Sequence, residues 1–542
     1  MLRVTAVAAV LSLLLVGGGT AAPAAPAARA QAAPAAVYTI SGRGFGHGVG
    51  MSQYGALGMA QEGHDHVSIL AHYYRGTALG RAPVTSVRVL LAEGRSSVRL
   101  APAAPFRVRD AGGAVHELAA GVHDLAVAMR VTTAAGPAVL RGPLLVSGGA
   151  APVQLDGRRY RGSLEVASVA GRLRVVNVVP LEQYLFGVVP REVPTRWPEE
   201  ALKAQAVAAR SYAVAVRRSG PFQLYADQRS QVYGGMDAEH PATNAAVLAT
   251  AGEVLLYGGR VATTYFHSTS GGRTADVGEA WPGSAPVPYL VSVDDPFDAV
   301  SPYHAWGPVA IPAARLRAAL GVRGALLDVQ VTPTRSGRVA HVVAVGTGGR
   351  VVVQAASVRT ALGLRSTWFQ LGTLALDAPP RASVLFGSTL SLTGTARDVP
   401  GARLEARSPG GAWAAVATVA PGARGAFAVD VTPQARTEYR LAAGPARTGA
   451  VAVAVAPVVR LAAPTDPVTL AGTVRPLSLA GRAVTVQRLE RGTWRRVAAA
   501  TVDASGGFTA AVALTPGRYR AVVPAAGGLA AGASQPLDVV AP

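Results

Sequence analysis

The chain has 542 residues, no cysteine, a formal net charge of +20 and a sequence pI of about 11.0. That length exceeds one ordinary hydrophobic core and implies about three or four domains. The lack of cysteine excludes disulfides, cysteine-based metal sites and a lipid-modified N-terminal cysteine. Aromatic residues are only 6% of the chain, so no nucleic acid partner is expected and the positive charge points to other polyanions.

Arg3 is followed by an apolar run from Val4 to Val16 and by small residues up to an Ala-Arg-Ala site ending at Ala30. This is the pattern of a secretory signal peptide over residues 1–30, and the apolar run is shorter than the ~20 residues needed to span a bilayer. No later stretch reads as a span. The expectation is a secreted product, extracellular or cell-wall associated, with no transmembrane anchor in its mature form. In that setting the charge suits anionic wall polymers, although a GC-rich genome would give the same arginine and alanine usage.

An Ala/Pro linker over residues 31–36 follows. A short strand from Val37 then leads into Gly42, Gly44, Gly46, Gly48 and Gly50, a loop whose backbone can approach a ligand closely. The alternating spacing is not that of a dinucleotide loop. His47, Ser52, Gln53 and Tyr54 on and beside this loop are candidate donors and acceptors for a polar ligand. Met51 to Gln61 reads as a small-residue helix. The pair His64 and His66, with His72 beyond, reads as solvated, not as a metal site. From Val84 to Val179 the alternation of Val, Leu and Arg predicts β-hairpins.

Glu192 stands in a Pro-Arg-Glu-Val-Pro turn between Pro190 and Pro194. A carboxylate so placed is aimed by its backbone, and Phe186, Val193 and Trp197 are apolar neighbours able to raise its pKa by desolvation. Adjacent Arg191 is expected to point away. A helix start is signalled at Thr195 by Thr-Arg-Trp-Pro-Glu-Glu. Leu202, Ala206, Ala209, Ala213 and Val216 recur at helical spacing as a core stripe. Lys203, Val207 and Arg210 lie on another face, which leaves Lys203 and Arg210 toward a cleft or solvent. Lys203 is the only lysine in the chain, so this position is expected to need one. Further on, a helix is predicted over 242–252, a strand over 253–257, and a loop at His267, Ser268 and Ser270. Adjacent His and Ser without a nucleophile elbow argue against a serine hydrolase. Asp294, Asp295 and Asp298 read first as an Asp-Pro turn and second as a stabilising carboxylate.

The run VPREVPTRWPEEALKAQAVAARSYA, together with YFHSTSGGRT, PYLVSVDDPFD and GHGVGMSQYGA, resembles the stage II sporulation protein D (SpoIID)/LytB family over roughly residues 38 to 375, and SVRTALGLRSTWFQL resembles the closing part of its actinobacterial members. One departure is plain: the GHGxGMSQ element here precedes the glutamate motif, whereas in the sporulation protein it follows. The resemblance implies an α+β catalytic region over residues 37–376. It also implies action on peptidoglycan glycan strands as a lytic transglycosylase, with Glu192 as general acid and base and with His47, Ser52, Gln53, Tyr54, Lys203, Gln205, Arg210, His267, Ser268 and Ser270 as substrate-binding candidates. The LytB branch implies the rival reading, an enhancer of a wall amidase that binds peptidoglycan without turnover. Some members bind zinc through a cysteine whose place is Ser270 here, so no metal and no cofactor is expected.

After Leu376 short alternating runs recur at an offset of about 80 residues. Trp413, Phe427 and Tyr439 are echoed by Trp494, Phe508 and Tyr519. Two all-β immunoglobulin-like sandwich modules are expected, over residues 377–456 and 457–542, with these aromatics in their cores.

Overall fold

The computed structural model describes residues 33–148, 151–216 and 218–540. The leader expected over residues 1–30 lies outside them, as does the start of the linker. The chain divides into two compact units, Ile40–Leu371 and Gly372–Pro542 with the residues up to Thr39. Both are mostly β, and the α-helices among the described residues all belong to the first.

The β-rich part of the first unit is a seven-stranded sheet in the order Leu224–Tyr225, Ser86–Arg95, Arg172–Pro180, Ser163–Val169, Leu144–Ser147, Phe106–Arg109, Val115–Leu118. Its pairs are antiparallel except the first, which is parallel. The strand Arg172–Pro180 buries Leu173 and Val175 in alternation and then Val176, Asn177 and Val179, where its register against Ser86–Arg95 shifts, so both of its faces are covered there. The sheet's cover is a group of short helices. We label the helices of the site α1 (Gln53–Gln61), α2 (His66–Tyr73), α3 (Leu181–Phe186), α4 (Val189–Glu192), α5 (Glu199–Ala215) and α6 (Pro241–Ala249).

Helix α5 organises this unit. Leu202, Ala206, Ala209 and Ala213 pack into the sheet's core, while Ala204, Val207 and Ala208 pack into a second core with α1, α2 and the segment 262–293. The helix is therefore buried on two sides, and small alanines permit that close approach. It begins at Glu199 with Pro198 as its cap, later than the start signalled at Thr195; the Thr195–Pro198 stretch is a turn. Likewise α1 starts at Gln53 because Ser52 caps it, its Oγ accepting from Gly55 N at 3.1 Å. The predicted second helix occupies Pro241–Ala249, and the strand Glu253–Tyr257 has the bounds the sequence suggested.

In the second unit one arrangement occurs twice. Arg403–Arg407 lies antiparallel between Ala414–Thr418 and Thr437–Ala443; Ala483–Glu490 lies likewise between Thr493–Thr501 and Gly517–Val523. Phe427, Tyr439, Phe508 and Tyr519 are buried as expected of core aromatics. The tryptophans differ from that expectation. Trp413 and Trp494 are only half-buried, with the guanidinium of Arg440 4.1 Å over the first and that of Arg520 4.4 Å over the second. Cation–π stacking on the outer face covers the indoles instead of the core.

Candidate functional site

Glu192 ends the one-turn helix α4, whose Val189 is anchored in the core. Its carboxyl meets the segment 231–233, which is itself fixed from below. Gln231 is buried, accepting from Tyr184 Oη at 3.1 Å and donating to Ala209 O at 3.3 Å. Tyr233 Oη donates to the buried Asn177 at 2.9 Å. Those anchors present Val232 N to Glu192 Oε1 at 3.2 Å. Burial raises the pKa of Glu192, with the Val232 hydrogen bond opposing it. Arg191 is exposed, so the adjacent cation does not offset the burial.

Glu192 lines a cavity of about 300 Å³ with His47, Tyr212, Tyr265, Phe266 and Trp281. It is the one carboxyl among the described residues of that lining. His47 arrives on the glycine loop, where Gly46 and Gly48 have φ of 115° and 88°. A Cβ at Gly46 would come within 2.8 Å of the His267 Cβ, and one at Gly48 within 2.5 Å of the Arg338 guanidinium; glycine is needed there on both counts. Burial, then the charge of Arg359, lowers the His47 pKa to about 4. Val49 N donates to its Nδ1 at 3.1 Å, so the neutral ring carries its proton on Nε2. The ring lies 5.1 Å from that of Trp281, which lies 4.8 Å from Tyr265. Together they form an aromatic wall beside the acid.

The glycine loop and the HSTSGG loop are joined as strands: Met51 and Ser52 pair in parallel with Phe266 and His267, and Phe45 bridges Thr269. Gln53 ties the loop to the acid's backbone, its Nε2 reaching Glu192 O and Gln205 Oε1 at 3.3 Å each. Tyr54 is half-buried against Trp197 at 5.1 Å.

The remaining candidates stand elsewhere. Ser52 and Ser270 are fully buried and hydrogen-bonded to each other, Ser270 N donating to Ser52 Oγ at 3.2 Å. Gln205 and His267 are buried as well, His267 Nδ1 lying 3.2 Å from Val49 O, and Ser268 Oγ meets Thr269 Oγ1 at 3.3 Å. Lys203 pairs with Glu199 at 2.7 Å and Glu200 at 2.8 Å. Burial works against ionisation of Glu200, but hydrogen bonds from Lys203 and His66 hold its carboxyl at about 2. The network clamps α2 to α5; it explains His66 and gives Lys203 partners outside the cavity.

Arg210 corrects the helical-face reading: it is fully buried, facing neither cleft nor solvent. It donates to Glu182 at 2.5 Å and to the carbonyls of Val247 and Glu253 at 3.1 Å, tying α3, α5 and the end of α6 together. The aspartates after Val293 differ among themselves. Asp294 is exposed and pairs with Arg273. Asp298 is buried, accepting from Gly271 N at 2.6 Å and meeting His304 Nδ1 at 2.7 Å. Asp295 is buried under α1, accepting from Tyr73 Oη at 2.9 Å; burial, then the charge of Asp298, raises it to about 6. None of the three lines the cavity.

Sequence reasoning missed Tyr212, Tyr265, Phe266 and Trp281 as its wall. Tyr265 and Phe266 open the YFHSTSGGRT motif, so position beside a dense polar loop was a usable signal; Trp281, in Glu-Ala-Trp-Pro, gave none.

These features define a protein whose α+β unit holds one half-buried acid against aromatic rings. Residues 169–257, which carry α3 to α6 and Glu192, match the family model described as SpoIID, stage II sporulation protein. The chain is 33% identical over 215 residues to the stage II sporulation protein D of Bacillus amyloliquefaciens, covering 36% of this chain and 61% of that one. It is 40% identical over 148 residues to the amidase enhancer of Bacillus subtilis (strain 168), covering 27% and 20%. An uncharacterized protein of Brachyspira hyodysenteriae (strain ATCC 49526 / WA1) is 41% identical over 143 residues, covering 26% and 38%. The chain thus spans between a fifth and about three fifths of these relatives' lengths. Among the described residues no helix is long and apolar enough to cross a membrane.

Proposed function

We propose that this is a secreted, peptidoglycan-acting lytic transglycosylase that cleaves the MurNAc–GlcNAc bond with Glu192 as general acid and then base. The observation that carries the reading is the solitary carboxyl in an aromatic cavity, its pKa raised by burial. A raised pKa keeps the proton available to the departing glycosidic oxygen. The same group, once ionised, accepts the proton of the sugar's own C6 hydroxyl as that oxygen closes on C1, so one carboxyl suffices where hydrolases use two. The aromatic wall suits the apolar face of a sugar ring. The C-terminal residues form two immunoglobulin-like modules, and the arginine-rich surface holds the protein to anionic wall polymers.

A second reading rests on the match to the amidase enhancer: binding of glycan and stimulation of a wall amidase without turnover. Glu192→Gln distinguishes the two. Gln keeps the shape but delivers no proton, and general acid catalysis is worth about 10²–10⁴-fold. Digestion of purified sacculi with mass spectrometry for 1,6-anhydro ends should show product from the parent and almost none from the variant. Equal cleavage by both removes Glu192 as the acid. Cleavage by neither, with amidase stimulation kept in both, establishes the enhancer reading.

A further inference from the structure

A second set of aromatic rings runs over the first unit outside the cavity. Trp197, five residues beyond Glu192, meets Tyr54 edge-on at 5.1 Å; Tyr54 meets Tyr303 at 6.5 Å, and Tyr303 meets Phe45 at 5.3 Å, both pairs again edge-on. Three of these rings are half-buried and Phe45 is 37% exposed. The far end carries Arg365, an exposed residue whose guanidinium lies 4.4 Å over the Tyr303 ring and 5.7 Å from that of Phe45. No carboxylate of the described residues pairs with it.

Two of the strip's rings stand on the glycine loop, which also carries His47 of the cavity, and on the helix α1 that follows it. Gln53, beside Tyr54, touches the backbone of Glu192, and Phe45 is two residues from His47. The backbone under it is rigid: Phe45 N donates to Thr269 O at 2.8 Å and Gly46 N to Arg365 O at 3.0 Å. Rings held at fixed edges with their remaining surface in solvent bury the C–H faces of sugars at little cost in side-chain entropy. A guanidinium already stacked on a ring keeps its N–H edge for a planar anion.

We infer that the Trp197–Tyr54–Tyr303–Phe45 strip extends the cavity into a longer glycan groove, and that Arg365 reads a carboxylate carried on the glycan. The inference deepens the proposed function and rests on its glycan, not on its chemistry. The ligand is a strand of several N-acetylated sugars with carboxylate substituents. An uncharged N-acetylglucosamine chain lacks the group Arg365 recognises.

The test is equilibrium binding by the full chain carrying Glu192→Gln, so that turnover plays no part. Three probes are used: peptide-free peptidoglycan strands with their lactyl carboxylates, the same strands with those groups converted to methylamides, and a hexamer of N-acetylglucosamine. One charge-assisted contact at a partly wet site predicts a preference of about three- to tenfold for the first probe. Adding Arg365→Gln should erase the preference and leave the hexamer's affinity unchanged. Tyr303→Leu, which keeps apolar bulk without the ring, should weaken all three probes alike, with unaltered thermal unfolding checking the fold. Persistence of the preference in Arg365→Gln overturns the role of Arg365. Unchanged binding in Tyr303→Leu overturns the groove, as does failure of all three probes to bind. Loss of amidase stimulation in Tyr303→Leu with glycan binding intact overturns the groove too and makes the strip a protein-docking face. Failure of Glu192→Gln to lower cleavage leaves this inference standing, because binding alone is read.

Discussion

Two carboxyls of the first unit have pKa values raised by desolvation, and only one of them faces the cavity. Asp295 lies under α1 at about 6, above the ordinary carboxylate value in an unfolded chain. A group raised in this way contributes stability that is complete below the unfolded value and is lost as pH climbs through the folded one. Asp295→Asn keeps the acceptor for Tyr73 and never ionises. It should match the parent near pH 4 and exceed it by about 2–3 kcal/mol near pH 8. Denaturant unfolding at the two pH values reads the difference; a variant less stable than the parent near pH 8 would show that the ionised form is needed. His47 has the opposite sign. Its pKa is lowered to about 4, so its contribution is present above the unfolded value of about 6.5 and is lost as pH falls toward 4.

Helix α1 shows how an element can be legible and still hide its purpose. Gly55, Ala56, Gly58 and Ala60 mark it as a helix of small residues, and the structure supplies the reason. A Cβ at Gly58 would run into the Phe297 carbonyl, and one at Gly55 into Tyr73 Oη and the Asp295 carboxylate. Gly58→Ala would add about 1 kcal/mol of helix propensity in isolation. Here the obstacle is backbone, which cannot rotate away, so a net loss of about 1–3 kcal/mol is expected and is measurable as a lowered thermal midpoint. A raised midpoint would mean that α1 can lift off the Pro296–Val300 turn. The same contrast runs through the site. The proximity of the glycine and HSTSGG loops could be anticipated from motif chemistry, whereas Glu192 ends a helical turn, Val189–Glu192, instead of standing in a proline-bounded turn. The burial of Arg210 could not be anticipated. A helical wheel separates faces but does not say how many are covered, and α5 is covered by two cores. Lys203 stood out by rarity, yet rarity does not distinguish an ion-pair clamp from a ligand contact.

At the scale of the whole molecule, the two compact units carry different physics. The first has the acid, the cavity and the helices; the second repeats one strand arrangement and lays arginines over tryptophans. A chain ending at Leu376 should therefore fold and keep whatever glycan activity the parent shows, since each unit has its own core. Circular dichroism and sacculus digestion on the shortened chain check this. Failure to fold would mean that the repeats complete the first unit's core.

The closure of the first unit upon itself has a consequence for how such chains are wired. Arg43 N donates to Trp368 O at 2.9 Å, Gly46 N to Arg365 O at 3.0 Å, and Ser366 Oγ to Arg43 O at 2.5 Å. The chain thus enters the unit alongside the stretch by which it leaves. Termini that meet in this way allow circular permutation. With Leu371 joined to Ile40 by a short linker and the chain opened at the exposed turn after Tyr74, the glycine loop would follow the glutamate motif, and every strand pairing of the cavity would survive. In the permuted unit the two motifs would stand in the other order on the same fold. A permuted first unit beginning at Thr77 and ending at Gly76 should unfold within a few degrees of its linear parent and hold glycan with the same affinity; an unfolded permutant would show that the present order is required for the loops to meet.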